Sequence, residues 1–405
     1  MGPCLRSRRD HCTPGALVIE FVNGNRITLL KGGAEYFPAL AVEFDAAQHE
    51  IHLETYIFES DATGRAVAAA LERAARRGVA VQVLVDGFGS RDIDRDLVRE
   101  MREAGVRFLV YRQKISPWTL RRARLRRMHR KIAVVDARAA FVGGINVVDD
   151  VDDPDTVEPR FDYALRVEGP LVARIHAVVK RLWALVCATQ LRSRWAEARL
   201  MAPPPEFRGN QRAAFVIRDN IGHRRDIEQV YLTAIGQARR EILMANAYFF
   251  PGRTFRRAVM DAAARGVRVA LLLQGRAEYV LQHYASRALY GPFLDAGIEI
   301  HEYQKSYMHA KVAVIDGHWA TVGSSNIDPF SLLLAREANV VIEDTGFAGE
   351  LRENLLAAIT GGAEQVKRES WKDQPLTTRV FIHGCYEFVR ILTGVFAYGR
   401  AEEFS

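Results

Sequence analysis

The chain has 405 residues, of which 49% are apolar and 26% charged, the make-up of an ordinary soluble globular protein with room for two full cores. Its four cysteines, Cys4, Cys12, Cys187 and Cys385, lack metal-ligand spacing and speak against a disulfide framework. A formal charge of +7 favours an anionic partner, either nucleic acid or an acidic membrane surface.

Residues 1–15 are polar and Arg-rich, which predicts a flexible start rather than a signal peptide or a spanning helix. A strand is expected over His52–Phe58, a core-facing helix over Ala66–Arg77, a strand over Arg77–Asp86 and a helix over Asp94–Ala104. The same succession returns as Leu243–Phe250, Phe255–Arg265, Arg265–Gln274 and Tyr279–Ala296, with Tyr248 in the place of Tyr56. Strand, helix, Gly stop and strand make a right-handed crossover unit. The expected fold is therefore α/β: two similar domains related by a pseudo-twofold axis, each a mixed β-sheet flanked by helices, with the active site at the domain interface. The expected division is a flexible 1–15, a first half 16–200, a Pro-rich linker 201–212, a second half 213–362 and a tail 363–405.

Two strings dominate the rest. His129, Lys131 and Asp136 form an H-x-K-x4-D pattern, and His309, Lys311 and Asp316 repeat it 180 residues later. Seven residues after each Asp comes Gly143-Gly144 or Gly323-Ser324, and then Asn146 or Asn326. The apolar run after each Lys reads as a buried strand, so His and Lys share one face. A turn at Asp136 or Asp316 then returns a second strand. If Asp136 pairs with Ala139, Lys131 lies opposite Gly144; if Asp316-Gly317 is the centre of the second turn, that pairing slides by two. Either way an imidazole, an ammonium and a carboxamide gather beside a small residue, a set suited to phosphate oxygens. Asp136 and Asp316 are grouped with the catalytic residues as members of the motif, yet their opposite strand parity leads to the expectation that they brace the turns or salt-bridge across the interface.

This constellation resembles the phospholipase D superfamily, whose hallmark is two such motifs in one chain. Residues 318–331, 336–341, 140–146 and 167–170 bring the resemblance nearest to bacterial cardiolipin synthases of the form without an N-terminal membrane anchor. Ala335 departs from the Asn expected there in many synthases. The resemblance implies a double displacement at one phosphate, with His129 as nucleophile, His309 as acid and a phosphohistidine between them. The motif symmetry by itself leaves those two roles open. Lys131, Lys311, Asn146, Asn326 and Ser324 are the expected phosphate-binding groups, and no metal or other cofactor is expected. Asp162 and Glu337, each opening an apolar strand, are the expected acceptors that orient the two imidazoles.

Other features bear on the partner. Trp118, Arg121, Arg122, Arg124, Arg126 and Arg127 lead directly into His129 and are expected to meet anionic headgroups, although nucleic acid would use the same charges. The acidic stretch 149–155 reads as a solvated loop, and His52, His283 and His318 as structural histidines. Residues 380–398 are apolar apart from His383, Glu387 and Arg390, and predict either a packed amphipathic helix or an interfacial anchor. The leading expectation is a phosphatidyl transferase making cardiolipin and glycerol from two phosphatidylglycerol molecules, peripheral on the cytoplasmic side of the cell inner membrane. It needs an anionic phospholipid membrane and no obligatory protein partner. The competing readings are a hydrolytic phosphodiesterase or nuclease and a catalytically silent membrane-binding scaffold.

Overall fold

The computed structural model describes residues 19–112, 126–149, 158–192, 195, 206–219, 222–328 and 335–397. The first set of strands is β1 Val22–Lys31, β2 Glu50–Thr55, β3 Ala80–Asp86, β4 Arg107–Tyr111, β5 Arg127–Met128, β6 Lys131–Val135, β7 Ala139–Gly143 and β8 Tyr163–Glu168. The second set is β9 Gln211–Arg218, β10 Glu241–Asn246, β11 Arg268–Gln274, β12 Glu299–Tyr303, β13 Lys311–Ile315, β14 Trp319–Gly323, β15 Ala335–Glu343 and β16 Ala363–Gln365. All belong to one sheet. From one edge it runs β4-β3-β2-β6-β7-β8-β1, and from the other, inside β16, it runs β12-β11-β10-β13-β14-β15-β9. The two series meet where β1 pairs antiparallel with β9. The repeated β-α units thus occupy matching places on either side of a central seam.

The sheet is covered on both faces, which is why the strands of the two motif hairpins are largely apolar without alternation. Every residue of β6, β7, β13 and β14 is buried. On one face, helices Leu171–Thr189 and Thr345–Gly362 send Ile175, Val179, Leu351 and Leu355 into a single core with Val134, Val142, Val314 and Val322. That core spans both series of strands. On the other face, Leu40, Phe44 and Leu71 cover the first series, and Ile235, Phe255 and Val259 cover the second. The seam itself is tied by side chains. Asn25 donates to the carbonyls of Val22 and Gln211 at 2.7 and 3.3 Å, and its own amide oxygen accepts from the Leu171 N–H at 2.9 Å.

Two local expectations change. The helix expected over 279–296 is two, Val280–Arg287 and Tyr290–Asp295. Pro292 has no N–H for the carbonyl four residues before it, so one continuous helix cannot pass. The motif hairpins are also one residue out of the expected register: Lys131 pairs with Gly143, and the pairing of Val312 with Val322 puts Lys311 in line with Gly323. Three residues turn each hairpin, because Asp136 and Ala137, or Asp316 and Gly317, take left-handed backbone angles in succession.

Each motif Asp acts at that turn. Asp136 accepts the N–H groups of Gln48, His49 and Glu50 at 2.8, 2.8 and 2.9 Å. Asp316 accepts those of Arg239, Arg240 and Glu241 at 2.9, 2.8 and 3.0 Å. These bonds fasten the turn to the entry of β2 or β10. Partial burial opposes ionisation of Asp316, yet the three N–H donors and Arg240 outweigh it and hold the carboxyl below its usual range. Its stabilisation is therefore full above the unfolded value near pH ~4 and is lost as pH falls through the lower folded value. Asp316→Ala should cost about 3 kcal/mol in urea unfolding at neutral pH. The gap from the parent should shrink as the pH is lowered below about 4, and a gap that does not depend on pH would refute this account.

Candidate active site

Both motif histidines sit just ahead of their strands, and each is stitched to the other series. The His129 N–H donates to the Arg336 carbonyl at 3.0 Å, continuing the β5–β15 pairing. The His309 N–H donates to the Phe161 carbonyl at 2.9 Å, beside the Phe161–Met308 bridge. The side chains follow the same crossing. His129 Nδ1 lies 3.0 and 3.2 Å from the two carboxylate oxygens of Glu337, and His309 Nδ1 lies 2.7 Å from Asp162. With Nδ1 engaged by a carboxylate, Nε2 of each ring is left for chemistry. Both rings retain a little exposure, 15% and 14%, whereas Glu337 is wholly buried.

Lys131 and Lys311 are buried beside them, and each ammonium donates to the carbonyl of its own motif histidine, the Lys131 bond being 2.8 Å. Burial pushes Lys131 down to about 7 and Lys311 to about 8, against the pull of Glu337 and Asp162. Burial also lowers the proton affinity of His129 and, further, of His309, and the two lysines add to both effects. The set is thus a dry pocket of nitrogen donors whose cationic forms call for an anion. Asn146 and Asn326 lie at its edge, nearly buried, where the chain has left β7 or β14. The amide oxygen of Asn146 accepts the Ile57 N–H at 3.2 Å.

Three placements depart from the sequence reading. Ser324 is fully buried, donates to Glu337 at 2.6 Å and accepts from the Ala338 N–H at 3.1 Å. Its hydroxyl is committed to the orienting carboxylate, not to a phosphate, because it lies behind the imidazole. Asp136 and Asp316, grouped with the catalytic residues in sequence, lie at the far ends of β6 and β13 from the histidines, and their bonds are to main-chain N–H groups rather than across the interface. Of the basic run, Trp118, Arg121, Arg122 and Arg124 fall outside the described residues. Arg126 and Arg127 precede His129, with the Arg127 guanidinium 5.2 Å from the Phe88 ring.

Sequence reasoning passed over several supporting groups. Buried Asp86 accepts the Met128 N–H at 2.8 Å, and Gln274 accepts the Met308 N–H at 3.1 Å, so the residue before each histidine is held from the end of β3 or β11. Their signal was present, since both are polar residues closing apolar strands at matching places in the repeat. The Tyr56 ring lies 4.7 Å from that of His129. Tyr248, its counterpart, donates to Glu278, which lies 3.7 Å from Arg160.

Among the described residues one group has the composition and spacing to hold a metal ion. Glu50, His52 and His176 have ligand atoms within 4.8 Å of one another. It lies beside the Asp136 turn, at the opposite end of β2 from His129. The contacts of Glu50 with His176 and His52, 2.6 and 3.2 Å, are hydrogen-bond lengths, and Lys180 stands 3.4 Å away. A carboxylate shared by two imidazoles and an ammonium fits this geometry and ties helix Leu171–Thr189 to β2.

Comparison with known proteins gives the family. Residues 40–183 and 231–358 match the family described as cardiolipin synthase, PLD-like domain. The chain is 43% identical to cardiolipin synthase B of Escherichia coli (strain K12) over 343 residues, 85% of this chain and 82% of that one. It is 31% identical to cardiolipin synthase A of Proteus mirabilis (strain HI4320) over 388 residues, 92% of this chain and 77% of that one. In fold it is similar to the phosphatidylserine synthase of Haemophilus influenzae Rd KW20, with a TM-score of 0.69 at 12% identity, covering 91% and 95% of the two chains. The chain belongs to the cardiolipin synthase, PLD-like family within the phospholipase D superfamily. It is an enzyme of phosphodiester cleavage and transfer.

A small residue at position 144 is a requirement of this geometry. A Cβ there would lie 2.3 Å from an Asp162 carboxylate oxygen. Gly144→Ala should therefore displace Asp162 and lower turnover at least a hundredfold, with an unchanged far-ultraviolet spectrum. Ser324→Ala, which only removes a bond to Glu337, should lower turnover about tenfold, an effect of about 1.4 kcal/mol. Equal losses in the two variants would contradict the assignment.

Proposed function

We propose that the chain is a phosphatidyl transferase that makes cardiolipin from two phosphatidylglycerol molecules. The observation that carries this reading is the pair of imidazoles, each held through Nδ1 by a carboxylate of the other series, with two buried lysines between them. The two series are taken as similar domains, 16–200 and 213–362, joined by 201–212 and followed by a tail 363–405, with a pseudo-twofold axis through a site at their interface. The bound phosphodiester lies on that axis.

His129 Nε2, neutral, attacks phosphorus in line. The bond from phosphorus to the glycerol headgroup breaks, and His309 Nε2–H delivers its proton to the departing oxygen. Glycerol leaves and the phosphatidyl group stays on His129. A hydroxyl of a second phosphatidylglycerol then gives its proton to His309 and attacks phosphorus, breaking the phosphorus–nitrogen bond. Atoms and charge balance over the two steps. Burial, and after it the two lysines, lower the proton affinity of His309, and a bound phosphodiester anion acts in the opposite direction, favouring the protonated ring. Lys131, Lys311, Asn146 and Asn326 supply donors to the non-bridging oxygens. Ser324 is reassigned from phosphate binding to bracing Glu337, while Asp136 and Asp316 brace their turns, the first of the two roles that their strand parity suggested. The enzyme works peripherally at the cytoplasmic side of the inner membrane, where phospholipid is its substrate and partner.

The test uses phosphatidylglycerol labelled in the acyl chain, with lipid products and acid-labile protein label followed together. The parent should yield cardiolipin and carry transient label. His129→Ala and His309→Ala should each abolish turnover, and the double variant should be little worse than either. Near-parental activity in either single variant would overturn the shared site. Phosphatidic acid as sole product would make water the acceptor and the enzyme a hydrolase. Ethylenediaminetetraacetate should leave the rate unchanged, since the two ammonium groups and two amide donors would stabilise the phosphate oxygens in place of a divalent ion.

A further inference from the structure

The helix Leu376–Ala397 is apolar on two separate faces. Cys385 and Val389 are buried against the second series of strands and their covering helices, and Ile382 on the same face is buried too. Val380, Phe381, Phe388 and Ile391 lie on another face, within an arc of about a hundred degrees set by their seven- and eleven-residue spacings. They are 64%, 51%, 52% and 61% exposed, so half or more of each side chain meets solvent. Among the described residues the one ring packed on this face is that of Tyr284, against Phe381.

The face continues toward the active site. The Tyr284 ring contacts that of Phe381 edge-on, with centroids 5.0 Å apart. Tyr284 lies one helical turn beyond Val280, which is exposed, and the exposed Tyr279 precedes it. The Tyr279 ring is 5.9 Å from that of Tyr248, the residue matched by Tyr56 beside His129. A band of exposed apolar side chains therefore runs from Ile391 to the rim of the catalytic pocket. Cations border it. A cavity of about 520 Å³ beside the helix is lined by Arg368, Lys372, Arg379 and His383, with Asp295 as its acidic member. Arg368 and Lys372 both reach Asp295, at 2.6 and 3.2 Å, which leaves the lining cationic overall.

We propose that this band is the membrane-docking face, and that its occupant is an anionic phospholipid surface. The inference rests on the proposed lipid substrate, and it adds which surface of the protein the bilayer meets. Exposed Phe, Val and Ile enter the acyl boundary, the bordering cations meet headgroup phosphates, and the rim at Tyr279 faces the lipid that is to react. A second copy of the chain would satisfy the apolar side chains but would bring the same cations against themselves.

The experiment is co-sedimentation of the full chain with phosphatidylglycerol vesicles and with neutral phosphatidylcholine vesicles. Activity is read in parallel on dihexanoyl phosphatidylglycerol below its micellar concentration, which needs no surface. The variants are Phe381→Gln/Phe388→Gln, Val380→Gln/Ile391→Gln and, as a control, Val42→Gln, whose side chain is equally exposed on helix Gly32–Ala46. Each paired variant should lose vesicle binding at least tenfold while keeping turnover of the short-chain lipid, and the control should match the parent. Both pairs binding phosphatidylglycerol vesicles like the parent overturns the proposal. So does a concentration-dependent dimer, measured without lipid, that the pairs abolish while vesicle binding persists. A parent that binds vesicles through this face but transfers nothing from either substrate would sink the proposed reaction and leave the docking face standing.

Discussion

The exchange of carboxylates between the two series of strands is the constraint on which the rest depends. Neither imidazole is oriented by its own neighbourhood: Glu337 holds His129 and Asp162 holds His309. Main-chain pairing of 127–128 with 335–336, and of 161 with 308, makes the crossing unavoidable once the sheet forms. The tautomer of both rings is thus a property of the assembled sheet rather than of either motif. Desolvation, which depresses both histidines and both lysines, has the same origin, since each series closes the other's pocket.

Much of this was legible in the sequence, and what was missed has identifiable causes. His129, Lys131, His309 and Lys311 declared themselves by spacing, and Asp162 and Glu337 by their place at the head of apolar strands. The crossing could not be read, because a strand's sequence carries its period but not the identity of its neighbour. The hairpin register slipped because Ala137, which has no residue-type preference for a left-handed angle, adopts one. Ser324 was misassigned because a hydroxyl near a phosphate site suits both a substrate oxygen and an orienting carboxylate, and only the depth of Glu337 decides between them. The helix over 279–296 hid its break because the apolar period runs through it, and Pro292 is tolerated inside the first turn of the second helix.

The two series solve the same problems with different chemistry. Asp162, shorter, sits where a side chain at position 144 would be, and glycine is required there. Glu337, longer, reaches past that place and accepts a second bond from Ser324. Next to His129, Arg130 and Glu54 make a buried bidentate pair at 2.5 and 2.9 Å, where the other series has Ala310 and Ala245. Glu50 is met by two histidines and Lys180, while Glu241 is met by Arg268 and Arg352. Such replacements keep charge or volume balanced within each local group, so the shared sheet tolerates them.

The seam at β1–β9 gives those differences a meaning. Were the two series separate, identical chains, every change would appear twice in one site, and a substitution that suited the surroundings of one imidazole would be imposed on those of the other. Joined through one continuous sheet, each position occurs once. The covalent link also replaces a concentration-dependent encounter by an intramolecular one, so a weak seam suffices to keep the site whole. A duplicated scaffold of this kind is free to specialise its halves by single mutations, and the unlike surroundings of the two histidines are the trace of that freedom.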